Sequence, residues 1–368
     1  VHIGDNTFNS KGLTSITLPE GLTSIGDQAF KNNALTAITL PEGLTSIGSQ
    51  AFLSNSLTSI TLPEGLTSIG HGAFANNTLT AITLPEGLTS IGSQIFLSNS
   101  LTSITLPEGL TSIGDEAFKN NALTAITLPE GLTSIGSEVF MNNSLTSMTL
   151  PESLTSIGDQ AFMSNLLTSV TLPEGITTIP QFSFKNNKFS SYTIPSHIES
   201  IGKEAFYNNE MRTLTIPGTV KHIGHNAFGA NDLTDLTLEE GIESIDEYAF
   251  FSNKIRNVVV PEGITSLEKG VFWFNRLTSV SLPNSLRRIE STALSYNNLT
   301  SIDIPDGVTY IGDYAFTSND LTSLTLPSFL EGLGRKIASE NSLTTLIASM
   351  RNPFPLVSQY EEFVNSGI

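Results

Sequence analysis

Residues Leu35 to Ser56 read LTAITLPEGLTSIGSQAFLSNS, and this pattern recurs along most of the chain. Its first apolar residues are Leu35, Ile38 and Leu40, separated by polar or small residues. The LxxIxL spacing predicts a short strand with one apolar face, here called the first segment. Pro41 should end that strand, because proline has no N–H and cannot extend a ladder inside a sheet.

The remainder of the copy turns the chain back on itself. Leu44 and Ile47 predict a second extended segment, here called the second segment, whose apolar side chains also point inward. Ala51 and Phe52 predict a compact return that forms a helical or 3₁₀ turn, and Asn55 lies at the last corner. One copy therefore closes a small coil around its apolar side chains.

The copy repeats every 22 residues, and proline marks the interval. A single copy buries too little apolar surface to fold alone, so stacking on its neighbours has to complete the core and the backbone hydrogen bonds. The sequence thus predicts one elongated stack in place of two or three globular domains. Proline recurs at 19, 41, 63, 85, 107, 129, 151, 173, 195 and 217, and again at 261, 283, 305 and 327.

Composition excludes several classes of function. The chain has 17 Lys and Arg against 35 Asp and Glu, a net charge of −18, so nucleic acid and anionic lipid are poor partners. The sequence has no run of about 18 apolar residues, so it predicts no membrane-spanning segment. Cysteine is absent, which excludes disulfides and thiolate metal sites.

Two columns of residues recur at fixed positions. The phenylalanine column, which includes Phe8, Phe30, Phe52 and Phe74, predicts a core spine; an exposed functional stripe is the rival interpretation. The asparagine column, which runs from Asn33 to Asn341, predicts amide groups that bond the backbones of adjacent coils.

These residues resemble the BspA-like leucine-rich repeats, whose signature is LxxIxIPxxVxxIGxxAFxxC. The phrases LTSITLPEGLTSIGDQAF and IGSQAFLSN carry the resemblance, which covers about residues 1–348 in fifteen tandem matches. Asn stands at the corner where that family often has Cys, and the copy has 22 residues in place of 23. The resemblance implies a curved solenoid with a strand-lined concave face, in bacterial or protist surface proteins used for adhesion and host contact.

Two halves differ along the chain. Copies within residues 1–175 are nearly identical, whereas copies within 176–349 diverge at exposed positions, through either selection for a binding site or drift. Residues 350–368 are aperiodic and predict a C-terminal cap or the start of a missing domain. The chain opens at Val1 in mid-repeat, without an initiating Met or a signal peptide, so we expect a fragment of a longer protein.

No catalytic motif, cofactor site or metal site is indicated. His222 and His225 are the only histidines close in sequence, and a metal site there is a minor alternative. A glutamate column after the prolines predicts a solvated edge, with calcium bridging as the alternative. A threonine column on the first segment suits exposed strand positions, with ice binding as the alternative. The glutamates are Glu20, Glu42, Glu64, Glu86, Glu108, Glu130, Glu152 and Glu174, and the threonines recur from Thr17 to Thr237.

Large aromatic residues follow the spine in the divergent half, where earlier copies have small, apolar or basic residues. Aromatic and arginine side chains dominate interface energetics, so we predict a binding surface there. The alternative is that the rings fold back onto the spine and widen the core. The predicted binding residues are Tyr207, Phe251, Trp273, Phe274, Tyr296, Arg256 and Arg276.

Together these patterns predict a leucine-rich-repeat solenoid, a curved stack of about fifteen 22-residue coils with short parallel strands, turns and little helix. We expect a non-enzymatic binding module of a secreted or cell-surface protein, whose partner is a protein or glycan on another cell. The alternatives are a mechanical spacer that holds another domain away from the surface, and an ice-binding protein. The sequence does not indicate an oligomeric state.

Overall fold

The computed structural model describes residues 1–348, and the predicted C-terminal cap lies outside the described residues. The described chain forms coils of roughly 22 residues, about sixteen in all, built from parallel strands and turns; residues 1–348 contain no helix. The coils group into two compact units. Unit 1 comprises Val1–Ile176 and Phe182–Lys188, and unit 2 comprises residues 177–181 and 189–348.

The second segment forms the more regular set of strands, with one two-residue strand in every coil. Each strand pairs in parallel within its unit, with partners 22 residues apart, as Ser46 does with Ser68. The strands are His2–Ile3, Ser24–Ile25, Ser46–Ile47, Ser68–Ile69, Ser90–Ile91, Ser112–Ile113, Ser134–Ile135, Ser156–Ile157, Thr178–Ile179, Ser200–Ile201, His222–Ile223, Ser244–Ile245, Ser266–Leu267, Arg288–Ile289, Tyr310–Ile311 and Gly332–Leu333.

The first segment forms regular strands mainly in unit 2. In unit 1 most first segments are extended without a regular ladder, although their apolar residues are buried as predicted. Proline ends the segment in both units. The strands are Met148–Thr149, Val170–Thr171, Ser191–Thr193, Thr213–Ile216, Asp235–Leu238, Asn257–Val259, Ser279–Ser281, Ser323–Leu326 and Thr345–Ala348.

The return does not form a continuous helical or 3₁₀ turn. Its backbone N–H groups at Gln50, Phe52 and Ser54 donate to carbonyl oxygens of the next coil, 2.7 to 3.0 Å away, whereas Leu53 N donates within the segment, to Gln50 O at 3.1 Å. Gln50 and Ser54 also have positive φ, at 55° and 57°, which a right-handed helix does not allow. The prediction of a helical turn was wrong because alternate N–H groups donate to the neighbouring coil, which leaves only isolated turns within the segment.

The core lies inside each coil and is continuous through each unit. The spine phenylalanines from Phe30 onward are buried, and in unit 1 successive rings stack with centroids 5.3 to 5.9 Å apart, which confirms the predicted spine. Leu294 and Ala338 replace the aromatic ring in two later coils and are also buried. Stacked rings this close fix the register between coils and leave the residues around them at constant positions.

Candidate functional site

Five aromatic rings from three successive coils of unit 2 form one connected group, here called the aromatic cluster. Phe251 stacks on Trp273 with centroids 5.0 Å apart, and Tyr248 lies 6.1 Å from Phe251 and 6.2 Å from Trp273. Trp273 meets Tyr296 edge to face at 6.3 Å, and Tyr296 lies 5.8 Å from Phe274. The structure therefore brings together Phe251, Trp273, Phe274 and Tyr296, which were predicted from sequence.

The cluster has a half-buried base and an exposed rim. Phe251 and Trp273 are half-buried. Phe274 is 55% exposed and Tyr296 is 46% exposed. The indole Nε1 of Trp273 is buried without an acceptor among the described residues. Phe251 and Trp273 therefore lie partly against the core, whereas Phe274 and Tyr296 face solvent.

The backbone of each coil places the two exposed rings. Phe274 and Tyr296 lie two residues after their spine residues, where every coil has a left-handed residue; their φ angles are 61° and 55°. A positive φ is uncommon for bulky residues and costs free energy. Most other coils place a short polar residue there: Ser10, Asn32, Ser54, Asn76, Ser98, Asn120, Asn142, Ser164, Asn186, Asn208, Ser252 and Ser318.

Sequence reasoning missed Tyr248, which lies two residues before its spine residue and not after it. Its ring covers Gly270, where an added Cβ would lie 2.3 Å from the tyrosine Cε1 atom. His225 meets the same ring edge to face at 5.7 Å, and the Lys269 Nζ lies 5.9 Å from its centroid. The available signal was the glycine in the next copy, since it leaves room for a ring.

Tyr207 lies two coils before Phe251 and uses a similar arrangement. Its ring covers Gly229, where an added Cβ would lie 3.2 Å from the ring. Gly229 occupies the coil position that Phe251 and Trp273 fill in the next two coils. The coil that contains Gly229 therefore lies between Tyr207 and Phe251.

The two predicted arginines lie on adjacent coils, close along the backbone to the exposed rings. The Arg276 backbone N–H donates to Ile255 O at 3.0 Å, and Thr278 N donates to Arg256 O at 2.8 Å. Both arginines are exposed, and within residues 1–348 neither guanidinium forms an ion pair. Arg276 follows Phe274 by two residues, so their Cα atoms lie within about 7 Å.

The structure also assembles a Ser–His–Asp contact that sequence spacing did not reveal. The Ser244 hydroxyl lies 2.8 Å from His222 Nδ1, and His222 Nε2 lies 3.3 Å from Asp246 Oδ2. The side chains of His222 and Asp246 are 43% and 41% exposed. Acyl transfer needs a water-excluded site with oxyanion donors, so this open arrangement fits an inter-coil link better than a reaction centre.

The two surface columns have the exposure that was predicted. The glutamates after the prolines are exposed in unit 1, and the threonines of the first segment are exposed in both units. In unit 2, Val259 interrupts the threonine column and is 64% exposed. No group of three or more His, Asp or Glu residues in the described part of the chain could hold a metal ion.

A search for membrane-spanning helices gives one finding. Residues 1–348 contain no helix with the length and apolar character needed to cross a bilayer.

Comparison with known proteins places this architecture in a recognised group. The sequence model of the family described as BspA type leucine rich repeat region (6 copies) matches residues 1–124, 111–233 and 221–345. A leucine-rich repeat protein from Bacteroides ovatus has a TM-score of 0.53 at 22% identity, over 84% of this chain and 76% of that one. A leucine rich cell surface protein from Faecalibacterium prausnitzii has a TM-score of 0.51 at 22% identity, over 98% and 89%. No curated protein is significantly similar in sequence.

Proposed function

Because this chain belongs to the BspA-type leucine-rich-repeat family, we propose that it is a non-enzymatic binding module of a secreted or cell-surface protein. Its aromatic cluster contacts a partner on another cell, which leads to adhesion or recognition. The repeat fold supports this role, since stacked coils present an extended, rigid surface built from residues that can vary without disturbing the core.

One observation carries the proposal. Phe274 and Tyr296 replace short polar residues at left-handed positions, where a bulky side chain costs free energy, and their rings still face solvent. Burial of apolar surface does not repay that cost for the exposed part of each ring. A partner that covers the rings would repay it, and exposed aromatic patches of this kind mark interaction sites.

The extracellular location has independent support. The similar protein from Faecalibacterium prausnitzii is a leucine rich cell surface protein. The acidic composition, −18 in net charge, also keeps a long repeat surface soluble without attracting nucleic acid.

A mechanical spacer is the second candidate, and the uniformity of unit 1 favours it. Its coils keep nearly the same sequence, and its spine rings repeat with little change in spacing. Both roles are compatible within one protein, with unit 1 as the spacer and unit 2 as the binding unit.

Cell binding by labelled protein tests the proposal. We expect Phe274→Ser/Tyr296→Ser to lose binding to a panel of epithelial and bacterial cells. Thermal stability should not fall, because neighbouring coils have serine at the same position, as Ser252 and Ser318. Val259→Thr is the matched control: it removes an exposed apolar side chain of the same unit and restores the threonine of other copies.

Two results would argue against the proposal. The first is a double variant that binds cells as tightly as the unmodified protein. The second is an unmodified protein that binds to none of the cells in the panel, which would favour the spacer.

A further inference from the structure

We propose that the aromatic cluster and its neighbouring arginines bind an acidic glycan, a sugar chain that carries carboxylate or sulfate groups. The inference rests on the proposed function, because it names the chemistry of the partner that the same surface would take. Arg256 and Arg276 would bind the acidic groups, and the exposed rings would stack against sugar rings.

The arginine pair provides the first argument. Asp and Glu outnumber Lys and Arg by 35 to 17, so acidic partners are abundant, and Lys221, Lys254, Arg288 and Arg335 of unit 2 each pair with one. Lys254, which occupies the same coil position as Arg276, pairs with Asp232 at 2.5 Å. Arg256 and Arg276 form no ion pair within residues 1–348, although they lie on adjacent coils.

Two like charges on adjacent coils repel each other, and an anion bound by both guanidinium groups would offset that repulsion. Arginine also presents a planar set of N–H donors that matches carboxylate and other oxyanions in a two-bond geometry. The pair is therefore suited to a ligand with negatively charged oxygen atoms.

The exposed rings provide the second argument, and it is independent of charge. Phe274 and Tyr296 lie on adjacent coils, joined by backbone bonds from Phe274 N to Ser295 O and from Asn275 N to Tyr296 O. Their ring planes differ by 31°, so the two faces are closer to parallel than to perpendicular. The C–H faces of successive pyranose rings could pack on two such neighbouring faces.

The size of the surface favours a glycan over a protein. A stable protein interface uses roughly 20–30 residues on each side around an apolar core. The coils of the aromatic cluster and the coil after them expose only four large apolar residues, too few for the apolar core of such an interface: Val259, Phe274, Tyr296 and Tyr314. A chain of polar rings with one stacked face needs only such a narrow strip beside charged donors.

The experiment measures binding of four probes by calorimetry and by the fluorescence of Trp273, the single tryptophan. The probes are oligogalacturonate, a heparin oligosaccharide, the neutral maltoheptaose, and an oligoglutamate peptide matched in charge to the oligogalacturonate. We expect binding of at least one acidic glycan, at least tenfold tighter than either maltoheptaose or the peptide. The two glycans distinguish carboxylate from sulfate as the acidic group.

The variants restore residues from other copies, so that folding is preserved. Arg256→Thr/Arg276→Ser and Phe274→Ser/Tyr296→Ser should each weaken glycan binding at least tenfold. Arg212→Thr should leave it unchanged, since Arg212 occupies the same coil position as Arg256 two coils earlier. Raising sodium chloride from 50 to 300 mM should reduce the affinity for the acidic glycan less in the arginine variant, because fewer charges contribute to its binding.

Three outcomes would overturn the inference. Equal affinity for oligoglutamate would indicate charge attraction alone, and equal affinity for maltoheptaose would show that the acid groups do not matter. Absence of binding to either acidic glycan, combined with cell binding that Phe274→Ser/Tyr296→Ser abolishes, would reject the acidic glycan while the proposed binding function stands. Absence of cell binding itself would reject the proposed function instead.

Discussion

The side-chain amide of Asn77 donates to the carbonyl oxygen of Phe52, one coil earlier, at 2.9 Å. The same amide nitrogen donates to Phe74 O at 3.1 Å, and the amide oxygen accepts the Leu57 N–H at 3.0 Å. One buried side chain therefore joins two coils at the corner where neither backbone can complete its hydrogen bonds. Other asparagines of this column repeat these contacts, for example Asn33 and Asn319.

The asparagine corner predicts a large difference between two adjacent residues. We expect Asn77→Ala to lower the free energy of unfolding by about 1–3 kcal/mol for each buried backbone group left unpaired. Asn76→Ser is the control, because Asn76 is exposed and Ser occupies its position in alternate copies. Urea denaturation measures both variants, and equal midpoints for the two would contradict the role assigned to the corner amide.

The contact between coils at Gly70 predicts a second difference. A Cβ at Gly70 would lie 2.3 Å from the backbone nitrogen of Ser49, whereas a Cβ at Gly87 would meet nothing within 4 Å. Gly70→Ala should therefore force the coils apart and cost about 1–3 kcal/mol, the range for overpacked sites. Gly87→Ala should change the melting temperature little. A Gly70→Ala protein that melts with the unmodified one would show that the coils separate freely.

The independence of coils predicts that a whole pair can be removed. Deletion of Leu57–Ser100, 44 residues, joins Ser56 to Leu101 in register, so each remaining coil meets an equivalent neighbour. We expect a folded, shorter stack with strand-type circular dichroism. Deletion of Leu57–Thr89, which shifts the register by half a coil, should aggregate or lose cooperative melting. If the protein without Leu57–Thr89 folded and the protein without Leu57–Ser100 did not, the 22-residue coil would not be the repeating unit of folding.

One ion-pair group predicts a pH dependence of stability. Burial opposes charge on both Glu116 and Lys119, but hydrogen bonds outweigh it: those from Gln94 and Lys119 lower the pKa of Glu116, and those to Glu138 and Glu116 raise the pKa of Lys119. The Glu116 contribution is present above its unfolded pKa and lost as pH falls through the lowered one. The Lys119 contribution is present below its unfolded pKa and lost as pH rises through the raised one.

Lys119→Met should therefore reduce the urea midpoint near pH 7 and have a smaller effect at pH 3, where the carboxylates are protonated. Lys31→Met is the control, because Lys31 occupies the same coil position but donates to the neutral Gln50. Its effect should not change between the two pH values. An equal pH dependence for the two variants would mean that Lys119 contributes through packing alone.

The candidate site was only partly predictable, and the missing parts have specific causes. Phe274 and Tyr296 stand out in sequence because they replace short polar residues of most other copies, and Trp273 because it is the single tryptophan. Tyr248 does not, since its ring reaches the cluster over a glycine that lies 22 residues later. Likewise, Arg256 and Arg276 are 20 residues apart in sequence, and their adjacency follows from the bond between Arg276 N and Ile255 O.

The sequence by itself determined the repeat length, the inward residues and the two columns at the core and corner. It could do so because every coil repeats the same apolar pattern, and a 22-residue repeat can bury that pattern only by stacking. Tertiary structure alone decided the conformation of the return and the outward direction of Phe274 and Tyr296. Those features depend on hydrogen bonds to the next coil and on the left-handed φ that they impose, which no local preference of the residues encodes.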